Sequence, residues 1–159
     1  MNSRLTVAAH ILGVLAYREG TGAGAITSEA LAESVGTNAV VIRRVLAQLA
    51  SAGLVASRRG AGGGTVLARD PQRITLRHVY EAVEEGDREI LGRHASDVGK
   101  ACDVAPLIAA YLDELYQDAE EALLRKLESV TVGAMAAEIV DRMRRPQPRV
   151  HRPRSTSKR

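Results

Sequence analysis

Arg43, Arg44 and Gln48 crowd into six residues, with Thr37, Asn38 and Val40 just before them. These side chains share one chemistry. A guanidinium can donate two parallel hydrogen bonds to the edge of guanine, an amide can pair two-pronged with adenine, and a valine can touch the methyl group of thymine. Thr37 and Asn38 can equally bind phosphate oxygens, so the sequence leaves open which of the six would read a base. A second basic pair, Arg58-Arg59, precedes the run Gly60-Ala61-Gly62-Gly63-Gly64. At the tip of a hairpin such arginines would meet phosphates or a narrow minor groove; a solvated hairpin is the alternative. The glycines also invite comparison with a phosphate-cradling loop. That loop needs Lys and then Ser or Thr after its last glycine, whereas Gly64 is followed by Thr65 and Val66.

The elements that would position these groups are legible. Leu31 and Val35 share one helical face with the small Ala32 beside them, and Gly36 supplies a turn whose backbone angle disfavours other residues. Ile42, Val45, Leu46 and Leu49 then form a second periodic face. Two short helices crossing at a small residue make a helix-turn-helix, with the second helix as the reader. Projected at the helical period, Thr37, Val40, Arg44, Ala47 and Ser51 lie opposite the apolar face, and Arg43 and Gln48 flank them. Gly53 ends the reader helix, and Leu54-Val55 opens a strand. A second strand after the Gly-rich turn completes a hairpin, or wing.

Asn38 to Val55, then Arg59 to Gly64 with Leu67-Ala68, then Pro71 and Ile74-Thr75-Leu76 leading into Val79-Tyr80-Glu81-Ala82-Val83-Glu84, resemble the Rrf-type winged-helix regulators. The resemblance covers about residues 3–143. Asn2-Ser3-Arg4-Leu5 and Val40-Val41-Ile42-Arg43-Arg44 look closest to the cluster-free YwnA-like branch of that family, which also includes the IscR, NsrR and CymR repressors. The resemblance implies a mainly helical fold with a β-hairpin wing and a long dimerisation helix, sequence-specific binding of double-stranded DNA as a homodimer, and repression rather than activation. It also places Ser3 and Arg4 among the DNA-contacting residues. Thr65 departs from the pattern, since many members carry an aromatic residue there.

Charge is segregated along the chain. Residues 1–80 carry nine Lys or Arg and four acids, residues 81–141 carry five and fifteen, and residues 142–159 carry eight and none. The net charge of +3 hides a basic reader half, an acidic second half that DNA would repel, and a basic tail. Apolar residues make up 45% of the chain, enough for a core, but there is no Phe or Trp to stack on unpaired bases. No apolar run reaches the roughly 18 residues of a membrane helix. The first twenty residues fit an amphipathic helix better than a signal peptide, and a single cysteine excludes an intrachain disulfide; both fit a cytoplasmic protein.

Taken in order, residues 4–18 are expected to form the first helix, followed by a flexible link through Gly20, Gly22 and Gly24. Thr27 or Ser28 caps the second helix, and Thr37 or Asn38 the reader. After the wing, Thr75 caps a helix that Gly86 stops, with Ile74 stapled to Val79. Residues 87–103 have weak periodicity and several charges and read as a loop. Pro106 then starts a long helix whose Ile108, Tyr111, Leu112, Leu115, Ala119, Leu123 and Leu127 form a stripe too long for a small domain to bury. The partner helix that this demands is, by resemblance, the symmetry mate's. Thr131 caps a last helix, which would pack on the first helix or on the partner. The expected organisation is a winged helix-turn-helix domain over 1–86, a variable linker or sensor loop over 87–105, dimerisation helices over 106–144, and a disordered basic tail over 145–159.

No metalloprotease, CxxC or nucleophile-elbow spacing appears, and Glu84, Glu85, Asp87 and Glu89 read as a solvated face, so no enzyme is expected. Many Rrf-type members hold an iron–sulfur cluster on three cysteines before the long helix. The corresponding stretch here has Cys102 alone, so no metal or cofactor is expected; His94, Asp97, Cys102 and Asp103 would offer one soft ligand. Cys102 can be a redox sensor, favoured by Lys100 and the nearby helix start, or an inert thiol. A small-molecule effector is the other route to regulation. The rival overall reading is a winged-helix module for protein contact, which would not need Arg43, Arg44, Arg58 and Arg59.

Overall fold

The computed structural model describes residues 3–84, 91–92 and 102–145. Their element order is α1 (Ser3–Thr21), α2 (Ser28–Val35), α3 (Ala39–Ser51), β1 (Val55–Arg58), β2 (Gly64–Leu67), a short 3-10 turn (Pro71–Arg73), α4 (Leu76–Val83), α5 (Ala105–Glu128) and α6 (Val132–Arg144). The fold is mainly helical with a two-stranded antiparallel wing, as expected.

Ala8, Ile11, Leu12, Leu15 and Ala16 recur at helical spacing, and all are buried in one core with Leu31, Ile42, Val45, Leu49, Leu54, Ile74, Val79 and Val132. Full burial of each Val, Leu or Ile side chain favours folding by about 1.5–3 kcal/mol, which is why this periodicity decides where the helices lie. The first helix runs three residues beyond the expected end, through Gly20 to Thr21, whose hydroxyl donates to the carbonyls of Tyr17 and Arg18.

The link that follows is not merely flexible. Arg18 donates to the carbonyls of Ala23 at 2.7 Å, Gly24 at 3.1 Å and Ala25 at 3.2 Å. Ile26 then pairs with Thr65, its N–H donating at 3.2 Å and its carbonyl accepting at 2.8 Å. The segment thereby extends the wing sheet by one bridge. Thr65, with no aromatic ring, is buried there.

Thr27 is the cap of α2, its hydroxyl accepting from the Ala30 N–H. Gly36 takes the left-handed conformation (φ 74°), and its N–H reaches the Ala32 carbonyl. Asn38 is the cap of α3, its Oδ1 accepting from the Val41 N–H at 2.9 Å. In the wing Val55 faces Leu67 and Arg58 faces Gly64.

Ile74 and Val79 are both fully buried at the start of α4, and Thr75 and His78 cap each other. The helix ends at Val83, with Glu84 after it; Gly86, its expected stop, lies outside the described residues. Thr131 caps α6, and a bridge between Thr75 and Thr131 ties the starts of α4 and α6 together. Of the two packings the sequence leaves open for the last helix, the chain takes α1. Val132, Gly133 and Ala136 are buried, and the Met135 methyl would lie 3.2 Å from a Cβ placed on Gly13.

The long helix α5 rests against α4. Tyr80 on α4 has its hydroxyl pushed above the ordinary range by burial, then by Glu84 and by Glu120 of α5. Thr75 donates to Glu128 near the end of α5. The expected stripe divides in two here. Leu112 and Leu127 are half-buried with Tyr116 and Leu124, whereas Ile108, Tyr111, Leu115, Ala119 and Leu123 are exposed. Steps of three and four residues spread over a wide arc, and α4 covers only one edge of it.

Candidate nucleic-acid interface

The outer face of α3 is the one its periodicity predicts. Val40 is 70% exposed. Arg43, Arg44, Ala47 and Ser51 are exposed as well, while Thr37 and Gln48 are half-buried at its margins. Asn38 is exposed but has its carbonyl oxygen engaged as the cap, so its NH2 group is what it can offer a phosphate or base.

Arg43 is turned aside. Its guanidinium donates to the Glu29 carboxylate at 2.7 Å across the helix-turn-helix. That hydrogen bond holds the Glu29 carboxyl below its ordinary 4.5, helped by the residue's own backbone N–H and by Ser28. Both side chains are more than half exposed, so solvent screens the pair. In sequence Glu29 reads only as an acid suited to the first turn of α2. Its partner is fourteen residues away and is brought to it only by the helix crossing.

Arg58 and Arg59 are exposed at the end of β1 and the start of the turn. A cleft of about 560 Å³ joins the reader helix to the wing, and Ser28, Glu29, Arg43, Ala47, Arg58 and Gly64 are among the residues lining it. The sequence does not single out Arg69. Its side chain donates to the Ala52 carbonyl at 3.1 Å, tying the base of the wing to the end of α3. Ser3 and Arg4 open α1, whose other end lines a cleft with the wing. At 1.5 Å per residue they lie about 21 Å along the helix from Arg18, so the fold does not bring them to Arg58 and Arg59.

Away from this surface, α5 exposes Tyr111 by 67% and Leu107 by 71%. Leu107 and Val104 extend the exposed apolar face toward the start of α5. The signal was present, since Leu107 stands four residues before Tyr111 and Val104 four before Ile108. Cys102 is exposed, and its carbonyl accepts from the Ala105 N–H at 3.3 Å. His94, Asp97 and Lys100, its expected neighbours, lie outside the described residues. Among the described residues no three His, Cys, Asp or Glu side chains converge as metal ligands would.

The Rrf2 family, described as an iron-dependent transcriptional regulator, matches residues 1–138. The chain belongs to the Rrf2 family. It is 38% identical over 129 residues to YwnA of Bacillus subtilis (strain 168), named as an HTH-type transcriptional regulator, covering 81% of this chain and 91% of that protein. It is 28% identical over 127 residues to the HTH-type transcriptional regulator IscR of Cronobacter sakazakii (strain ATCC BAA-894), covering 77% and 74%. In fold it is similar to T. potens IscR, with a TM-score of 0.69 at 22% identity over 93% of each chain. This Rrf2 member is therefore a DNA-binding transcriptional regulator and not an enzyme. Among the described residues no helix is long and apolar enough to cross a membrane.

Proposed function

We propose that this Rrf2 protein acts in the cytoplasm as a homodimeric repressor on a near-palindromic operator, with one α3 in each of two successive major grooves. The observation that carries the reading is the exposed apolar face of α5. Leu107, Ile108, Tyr111 and Leu115 recur on it at three- and four-residue steps, and a two-fold partner would bury them. A dimer doubles the few contacts that one reader helix can make, and its symmetry is mirrored in the operator. The contact set is Thr37, Asn38, Val40, Arg44 and Gln48 on or beside α3, with Arg58 and Arg59 on the wing; Arg43 joins once released from Glu29.

The family's description as iron-dependent raises the question of a cluster. The donor set does not fit one: the chain has a single cysteine, Cys102, and a cluster needs several thiolates. The reading is therefore a cluster-free regulator whose signal is a small molecule or the redox state of Cys102. The deciding experiment is selection of genomic DNA fragments by the purified protein, followed by gel shift and sedimentation on the selected sequence. Binding as a dimer to a two-fold symmetric site is expected; binding as a monomer to one half-site would overturn the reading.

A further inference from the structure

A cleft of about 810 Å³ opens between α1, Pro71-Gln72 and α6. That volume falls within the roughly 300–1,000 Å³ of sites for drug-sized ligands. Small residues make the room: Ala16 and Gly20 line it from α1, and Gly133, Ala136 and Ala137 from α6. Val140 and Met143 add apolar surface.

Three polar groups at this cleft are uncommitted. Among the described residues, neither the Glu19 carboxylate on the α1 wall nor the Arg144 guanidinium on the α6 wall has a hydrogen bond or ion pair. Asp141, also at the cleft, is already matched by Arg145. The third group is the Gln72 amide, which its neighbours orient. Its Oε1 accepts from the Thr131 hydroxyl at 3.3 Å, and that hydroxyl also accepts from the Ala134 N–H at 3.0 Å. The amide NH2 is therefore what Gln72 has left to donate. A Cβ built on Gly133 would lie 2.5 Å from the Gln72 amide nitrogen, so the glycine is what lets the amide rest against α6.

A carboxylate on one wall, a guanidinium on the other, apolar surface between them and an amide donor at the side complement a zwitterion with an apolar body. In a single amino acid both charged groups sit on one carbon. In a short peptide the backbone separates them, and its carbonyls can accept from Gln72. We propose that this cleft is an effector site for an apolar peptide of two or three residues with free termini, its ammonium on Glu19 and its carboxylate on Arg144. The carbonyl end of α1 adds negative potential for the ammonium. The carbonyl end of α6 opposes the carboxylate, which therefore depends on Arg144. The proposal rests on the small-molecule branch of the reading above and names the ligand's class. Its route to DNA starts beside Glu19, where Arg18 holds the carbonyls of Ala23, Gly24 and Ala25. That segment continues into the Ile26–Thr65 bridge at the edge of the wing.

The test is calorimetric titration of the full chain, without DNA, with the dipeptide Leu-Leu, with its acetylated and amidated form, and with free leucine. Leu-Leu should bind once per chain with sub-millimolar affinity, and the capped peptide and leucine at least about tenfold more weakly, since each loses charge-assisted hydrogen bonds or apolar contact. Glu19→Gln and Arg144→Gln should each weaken Leu-Leu by about tenfold. Ala137→Phe fills the cleft from an exposed position on α6; it should abolish binding while leaving the thermal melt unchanged. No heat from Leu-Leu at millimolar concentration, equal binding of the capped peptide or of leucine, or unaltered binding by Ala137→Phe would each overturn the site. Gel shift on the selected operator then reads the effector role. Saturating Leu-Leu should change the affinity of wild type by about fivefold or more and leave that of Ala137→Phe unchanged; an unaltered wild-type affinity would overturn the role. If wild type selects no operator, the repressor reading fails, while calorimetry still decides the site.

Discussion

The Arg43 guanidinium and the Glu29 carboxylate lie 2.7 Å apart, linking the reader helix to the first turn of the helix before it. An arginine that the sequence offers to DNA is thus held by an acid on the protein. The pair also places a negative charge at the rim of the cleft between α3 and the wing. Glu29→Gln is expected to free Arg43 and remove that charge. Affinity for DNA of any sequence should rise, and the salt dependence should steepen by about one phosphate contact. An unchanged salt slope in Glu29→Gln would show that Arg43 does not reach DNA when released.

The same pair makes a pH prediction. The folded-state Glu29 carboxyl titrates below its ordinary 4.5 because Arg43 donates to the ionised form. A depressed carboxyl contributes stability that is fully present above the unfolded value and is lost as pH falls through the folded one. Carbon-detected NMR titration should place the Glu29 midpoint below the usual glutamate range, and Arg43→Ala should raise it. An equal midpoint in both proteins would remove the pairing.

Arg44→Ala tests the reader face. If Arg44 pairs with a base, specific binding should weaken by about 1–3 kcal/mol while non-specific binding changes little. Changing Arg58 and Arg59 together to Ala should instead weaken binding on all sequences and flatten the salt slope by roughly 0.9 per lost contact. Gel shifts at several salt concentrations separate the two patterns.

Assembly is tested on α5. Leu115→Asp and Tyr111→Asp place a charge on the exposed apolar face and should shift sedimentation from dimer to monomer without loss of helicity. Leu112→Asp is a poorer probe, because Leu112 is half-buried in its own chain and the variant would also disturb the fold. A wild-type monomer at micromolar concentration would refute the seam.

The wing depends on Gly64. It has φ 146°, and a Cβ built there would lie 2.5 Å from the Ile26 carbonyl oxygen. Gly64→Ala should therefore break the Ile26–Thr65 bridge and destabilise the fold by about 1–3 kcal/mol, read as a lower midpoint in a thermal melt. DNA affinity should fall with it, since Arg58 faces Gly64 across the hairpin.

The cofactor reading has a direct check. Protein purified without oxygen should be colourless and free of iron. Oxidant should then alter DNA binding through Cys102 or not at all, so Cys102→Ser should be indifferent to peroxide. A brown wild type would overturn the cluster-free proposal.

What the sequence determined by itself was everything carried by short-range pattern. Apolar spacing located the helices that bury Leu12, Leu31, Ile42, Leu49 and Val79. Local chemistry placed the Gly36 turn and the Thr75 and Thr131 caps, because a cap or turn needs only residues within a few positions of one another. The exposed face of α3 followed from the same arithmetic. The tertiary structure alone decided whatever depends on residues far apart in the chain. It turned Arg43 toward Glu29, made the glycine link an edge of the wing through Ile26 and Thr65, and laid α6 on α1. It also split the α5 stripe into a covered edge and an open face. Helical period constrains which side of an element is apolar, but several neighbours can satisfy that side equally. Which of them does so is settled only when all the elements compete for the same buried surface.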